Sequence, residues 1–301
     1  MQAVWSFWSK PFKADRGLRW NKPHHHLLAW GLSLRLARMH FERTVLVTDS
    51  AGKAFLVDEL GLKFDNVSTE LDRLRDVDPG WWALGKLLAY SLQKQPFVHL
   101  DNDVFLWKPL SSKILASPVI AQCPEQHSVV NPWCDPGEVE RRFRLFGLAL
   151  PVEWEWAISR RGNAWFREEN CGIVGGNQVD FLRHYAESAI AMVIDPQYQR
   201  LWASSPIQFG FNMVIEQYFL AVCLDYHKGP HSRFSGLSIE YLFPNWVDAL
   251  DPHAACRVGY THLQGETKAH PLVGARLEQR MASMDPKFLR RCHKVTESSR
   301  G

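Results

Sequence analysis

In its first half the chain alternates short apolar runs with stretches whose apolar residues recur at helical spacing, the pattern of βα units laid on a parallel sheet. Ala3 to Phe7 predicts a first strand. From Pro23 to Met39, Leu28, Leu32, Leu36 and Met39 fall at helical spacing, and His24-His25-His26 reads as the start of that helix. Thr44 to Val47, closed by Thr48-Asp49-Ser50, predicts a second strand, and Ala54 to Leu60 a short helix. Trp81 to Gln93 is helical again, is closed by Pro96, and delivers the chain to the compact run Phe97-Val98-His99-Leu100. That run stops at Asp101-Asn102-Asp103, so a strand meets polar residues at its carboxyl end.

From Cys123 to Glu169 the periodicity loosens among prolines, charges and Trp133, Trp154, Trp156 and Trp165. Residues 122–169 are therefore expected to form a tryptophan-rich insertion or lid over the core. Regularity returns with a strand over Cys171 to Gly176, a helix from Gln178 to about Met192, another from Asn212 to Leu224, and Tyr260-Thr261-His262 as a last strand. Beyond Pro271 the pattern is helical and basic, and Lys287, Arg290, Arg291 and Lys294 suit a solvated face or a weak contact with an anion. The division expected is one α/β domain over residues 1–275 and a basic helical tail over residues 276–301.

Composition narrows the partners more than the fold. With 301 residues, 46% hydrophobic and 22% charged, the chain can bury a sizeable core and is not a disordered polymer. Lys and Arg number 35 against 32 Asp and Glu, a net charge of +3 with the signs interspersed, so the basic footprint of a nucleic-acid binder is missing. The six cysteines form no Cys-x-x-Cys pair, which argues against structural zinc and a disulfide framework. No apolar run approaches the roughly 18 residues of a membrane span, and Met1 to Trp8 lacks the basic opening of a signal peptide, so the expected location is the cytoplasm.

Asp101 and Asp103 are one residue apart in an extended context, so both carboxylates project to the same side at the mouth of a sheet. Two hard oxygen donors there suit Mg²⁺ or Mn²⁺, and open α/β sheets bind ligands at the carboxyl ends of their strands. Asp76-Val77-Asp78 has the same spacing but lacks strand context and runs into Pro79.

Pro96-Phe97-Val98-His99-Leu100-Asp101-Asn102-Asp103 resembles the strand and Asp-x-Asp motif of the metal-dependent glycosyltransferases of the GT-A fold. Tyr260-Thr261-His262-Leu263-Gln264-Gly265-Glu266-Thr267-Lys268 resembles the His-x-x-Gly-x-x-Lys element of glycogenin-like and lipopolysaccharide galactosyltransferase-like enzymes, although Ala269-His270-Pro271 follows where that family usually has Pro-Trp. Asn170-Cys171-Gly172-Ile173-Val174-Gly175-Gly176 resembles the strand and glycine pair beneath the donor sugar in such folds. Its alternative reading is a strand ending in a Gly-Gly turn. The resemblance covers roughly residues 1 to 270. It implies an α/β, GT-A-like (Rossmann-like) fold with a mostly parallel sheet flanked by helices. The activity it implies is hexosyltransferase-like: transfer of a sugar from a nucleotide-sugar, in the first instance a UDP-sugar, to an acceptor hydroxyl on a glycan, lipid-linked sugar, small molecule or peptide.

The same resemblance implies His262 as the third metal ligand beside Asp101 and Asp103, with Lys268 meeting the diphosphate. An imidazole donor tilts such a site from Mg²⁺ towards Mn²⁺. Asn102, Gly175, Gly176 and Gly265 join the expected donor-binding set. Phe7, ending the first strand, meets the nucleotide base or belongs to the core. Asp49 contacts base or ribose, or caps the following helix. Lys86 turns towards the donor or lies on a solvated helix face. Glu216, in the apolar stretch Asn212 to Tyr218, either pairs with a core arginine or, next to Gln217, faces the acceptor as general base. A non-catalytic carbohydrate-binding or scaffold protein on the same fold is the alternative, suggested by the 13 tryptophans. A nucleotidyltransferase would carry a glycine-rich basic loop after the first strand, where Lys10 to Arg19 has only Gly17.

Overall fold

Among the described residues the strands in chain order are β1 Gln2–Phe7, β2 Thr44–Thr48, β3 Asn66–Ser68, β4 Phe97–Leu100, β5 Val104–Leu106, β6 Val119–Ala121, β7 Pro124–Ser128, β8 Trp165–Glu169, β9 Ile173–Gly176, β10 Ile239–Tyr241 and β11 Tyr260–His262. This is a computed structural model, and it describes residues 1–14, 20–128, 134–160, 165–204, 206–207, 209–230, 232–234 and 236–298. The expected residues Gly17 and Trp133 lie outside this set. Seven strands build one sheet in the order β10-β6-β9-β4-β1-β2-β3. All neighbours in it are parallel except β9, which runs antiparallel to β4 and β6. The α/β architecture expected from the sequence, a mostly parallel sheet flanked by helices, is the one that forms.

The helices include α1 Pro23–Arg38, α2 Leu84–Ser91, α3 Val152–Ile158, α4 Val179–Ile194, α5 Phe219–His227, α6 Pro271–Met284 and α7 Pro286–Ser298. Alternation along the strands sorts them onto two faces. Val4, Val45, Val47 and Phe97 point into an apolar layer with α2, α4 and α5. Ala3, Trp5, Phe7, Leu46, Val98 and Leu100 point into the layer with α1, α6 and α7. Strands covered on both sides need apolar residues at successive positions, which is why β2 and β4 read as unbroken apolar runs.

Three features differ from expectation. The three-residue strands β3, β6 and β10 are too short to show a periodic signal. Within residues 122–169, β7 and β8 pair antiparallel, and Trp154 of α3 is buried against Phe219, so part of the supposed lid is core. At the carboxyl end, α6 starts at Pro271, where the helical pattern was expected to begin, but Leu277, Met281, Phe288, Cys292 and Val295 pack in the same layer as α1. Lys287, Arg290, Arg291 and Lys294 are exposed on α7, and Arg291 Nη1 donates to the Leu60 carbonyl at 3.1 Å. Among the described residues no helix is long and apolar enough to cross a membrane.

Candidate functional site

β4 carries the chain to the carboxyl edge of the sheet, where Asp101 N–H donates to the Gly172 carbonyl at 3.0 Å and Val104 N–H donates back to the Asp101 carbonyl at 3.0 Å. This tight turn feeds β5, whose partner in a two-stranded ladder is β11, with Val104 opposite His262. The ladder, continued by Leu263 N–H donating to the Asp103 carbonyl at 3.1 Å, sets His262 beside the acidic turn. His262 Nε2 lies 3.5 Å from Asp103 Oδ1, and one ligand atom each of Asp101, Asp103 and His262 fall within 4.8 Å of one another.

The second ring nitrogen fixes the imidazole. His262 Nδ1 is 2.8 Å from Gln122 Oε1, which also accepts from the Tyr260 hydroxyl at 2.7 Å. An amide oxygen only accepts, so Nδ1 carries the proton and Nε2 turns its lone pair to the carboxylates. Lone pair facing carboxylate is repulsive unless a cation lies between them. Two carboxylates and an imidazole oriented from behind therefore fit a divalent transition metal.

Two lysines balance the carboxylates. Lys268 Nζ is 2.5 Å from Asp103 Oδ2, and Lys86 Nζ is 3.0 Å from Asp101 Oδ1 and 2.8 Å from Glu216 Oε1. Burial pushes the Asp103 carboxyl up, but Lys268 and His262 outweigh it and hold the group below its ordinary range. At Asp101 burial wins over Lys86 and the carboxyl is raised. Burial lowers the His262 imidazole. It opposes the charge on Lys86 too, yet Asp101 and Glu216 overcome that and raise the ammonium above its usual value.

Beside this group lies a cavity of about 170 Å³ whose walls include Ser6, Phe7, Trp20, His26, Trp30, Trp82, Lys86, Asn102 and Lys268. The buried indole N–H groups of Trp30 and Trp82 and the Asn102 amide nitrogen have no hydrogen-bond partner among the described residues. All three residues line the cavity, although these nitrogen atoms are themselves covered by neighbouring groups. His26, pushed down to about 3 by burial and then by Lys268, stays neutral there.

Of the expected residues, the structure brings together Asp101, Asn102, Asp103, His262, Lys268, Lys86 and Phe7. Gly265, with φ of 52°, opens the turn leading to Lys268 and has nothing within 4 Å of a Cβ, so its backbone alone asks for glycine. Asp49 is spent as a cap: Oδ1 accepts from Gly52 N–H at 2.7 Å, and Oδ2 accepts from Ser9 N–H at 3.1 Å and its hydroxyl at 2.7 Å. Asp49 does not line the cavity.

Two expectations are corrected. Glu216, expected either to pair with a core arginine or to face the acceptor, is wholly buried and does not face open space: Oε1 accepts from Lys86 and from the Tyr90 hydroxyl at 3.0 Å, so it is paired, with a lysine in place of the arginine. Gly175 and Gly176 pair with Val98 and Phe97, at the end of β4 away from Asp101. Glycine is required there because a Cβ would stand 2.1 Å from the Phe97 carbonyl oxygen or the Pro118 carbonyl oxygen, a requirement of strand packing.

The glycine at the site is Gly172. A Cβ on it would meet His262 Nδ1 at 2.3 Å and Gln122 Oε1 at 2.8 Å. Its signal stood in the same motif, three residues before the pair that drew attention. Trp20, His26, Trp30 and Gln122 carried no local pattern, since the fold alone gathers them.

Fold and site define an α/β protein with two carboxylates, an imidazole and two lysines at the carboxyl edge of its sheet. The chain belongs to the family of unknown function DUF6734, whose model matches residues 1–295. No curated protein matches it. Among solved structures it is similar to the galactosyltransferase LgtC in complex with donor and acceptor sugar analogs, with 12% identity, 94% of this chain and 96% of that chain covered, and a TM-score of 0.41. At that distance no role is transferred from LgtC to this chain.

Proposed function

We propose that this chain is a divalent-metal-dependent glycosyltransferase acting on a nucleotide-sugar, in the first instance a UDP-sugar, and an acceptor hydroxyl. The observation that carries the reading is the meeting of Asp101, Asp103 and a back-oriented His262 with Lys268, beside an aromatic-walled cavity. Breaking a glycosyl–phosphate bond leaves negative charge on the diphosphate. A divalent ion, Mn²⁺ before Mg²⁺, held by Asp101, Asp103 and His262 would supply Lewis-acid stabilisation of that charge.

The chain's own residues do the rest. Lys268, no longer needed by Asp103 once a cation is bound, offers its ammonium to the diphosphate as a point charge. Trp20 and Trp82 present aromatic surface for the base. Glu216 acts through Lys86 as a positioning residue, keeping the ammonium against Asp101.

Two measurements test the reading. Hydrolysis of UDP-, GDP- and CMP-sugars is screened with Mn²⁺, and one donor is expected to turn over in the wild type and to be spared by Asp103→Asn. Calorimetry of UDP is run with Mn²⁺ and with EDTA. Equal UDP affinity in both, or in Asp103→Ala, overturns the metal bridge. Tight metal-dependent UDP binding with no turnover of any donor in the presence of simple sugar acceptors overturns the catalytic half and leaves a binding protein.

A further inference from the structure

Away from that edge, three helices bring a carboxylate and two imidazoles to one point. Glu153 lies in the first turn of α3, His184 in α4, and His227 is the last residue of α5. His184 Nε2 and His227 Nε2 approach the same oxygen, Glu153 Oε1, at 2.7 and 3.2 Å, and all three atoms fall within 4.8 Å of one another. We infer that Glu153, His184 and His227 form a second metal site, selective for Zn²⁺ or a similar transition ion and independent of the proposed activity.

Four observations support it. Two imidazoles and one carboxylate are the donor set that prefers zinc over magnesium or calcium, and three protein ligands leave a position open to solvent. His227 is oriented from behind, as metal-bound histidines are: Nδ1 is 3.0 Å from Ser232 Oγ, which itself accepts from Phe234 N–H at 2.9 Å. Glu153 is buried, yet no lysine or arginine pairs with it among the described residues, and Arg233 nearby stacks on Phe234 instead. His184 is partly exposed in the wall of a cavity of about 480 Å³, which gives an ion a route in.

The two other His–carboxylate groups are already neutralised. At His24, His25 and Glu278 the ammonium of Lys22 is 3.6 Å from the shared carboxylate oxygen. At Glu125, His127 and Glu168 the two carboxylates push the imidazole up to about 9, so a proton occupies the place an ion would take.

The test uses the full chain. Wild type, His184→Ala, Glu153→Gln, Ser232→Ala and Asp103→Asn are loaded with Zn²⁺, freed of excess by gel filtration, and their zinc is counted by mass spectrometry. Affinity is read by chelator competition, and Co²⁺ spectra report imidazole ligation. His184→Ala and Glu153→Gln are each expected to lose one equivalent, Ser232→Ala to bind that equivalent roughly tenfold more weakly, and Asp103→Asn to keep it. A wild type that binds no zinc, an unchanged count and affinity in folded His184→Ala, or loss of all zinc in Asp103→Asn overturns the inference. Should Glu153→Gln fail to fold, the partly exposed His184 decides alone, its fold checked by circular dichroism.

Discussion

Glu216→Gln separates a residue that acts on an acceptor from one that acts on Lys86. The carboxylate sits 2.8 Å from the Lys86 ammonium, with both side chains almost fully out of water. At an effective dielectric constant near 20, two unit charges at that separation attract by about 6 kcal/mol before desolvation is counted. Removing one partner of a buried pair costs about 3–5 kcal/mol net. Glutamine keeps an oxygen for Lys86 and Tyr90, and a neutral acceptor is worth about half a charged one, so the expected loss is about 2 kcal/mol. With an unfolding entropy near 2.1 cal/mol/K per residue, that loss lowers Tm of this 301-residue chain by about 3 °C. Lys86, balanced then by Asp101 alone, competes harder for that carboxylate, so Mn²⁺-dependent UDP binding is expected to weaken several-fold. Calorimetric melting and UDP titration measure both effects. A Tm within about 1 °C of wild type, unaltered UDP binding, and turnover lower by about 10² or more would refute this account and restore Glu216 as the general base.

In Gly172→Ala the new Cβ must displace His262 or Gln122, and Mn²⁺-dependent UDP affinity is expected to fall roughly ten- to a hundredfold with an unchanged far-ultraviolet spectrum. Unaltered affinity would remove His262 from the ligand set. Lys268→Ala is expected to weaken UDP binding about tenfold in a folded protein, read by calorimetry. His127 is held at about 9 by its hydrogen bonds to Glu125 and Glu168, above the unfolded value, so its contribution is complete below pH 6.5 and is lost as pH rises towards 9. Denaturant titrations at neutral and alkaline pH should show that loss, and His127→Gln should flatten it. Glu278, lowered to about 2 by its bonds to His24 and His25, contributes above its unfolded value near 4.5 and loses that contribution as pH falls towards 2. Glu278→Gln should remove this part of the acid limb in the same titrations.

What could be read from the sequence was whatever leaves a local trace. β4 has the bounds that its apolar run indicated, because a strand buried along its whole length is mostly apolar and turns polar where it emerges, and β11 has the bounds expected for Tyr260-Thr261-His262. Asp101, Asp103, His262 and Lys268 were legible through the spacing of two motifs. Contacts between distant segments were not. Lys86 and Glu216 are 130 positions apart, and neither neighbourhood announces the other. Gly175-Gly176 attracted the donor-site expectation because a glycine pair is conspicuous, although only strand register tells which end of β9 meets Asp101. Asp49 had two readings, and its two serine and glycine partners show how fully a cap can use a carboxylate.

The ladder between β5 and β11 also ties the order of synthesis to the competence of the product. Every strand of the seven-stranded sheet is made by Tyr241, so a chain that stops soon afterwards already contains the whole sheet and both aspartates. It lacks His262 and Lys268, and Asp103 is left without either partner. A one-residue slip in the same ladder has an equivalent effect, since it turns His262 to the opposite face of the strand. Under the proposed function, the carboxylates become a working set only in copies that were translated past Lys268 and closed in register. On that reading, truncated or misthreaded copies lack the proposed ligand set, with no separate device needed to inactivate them.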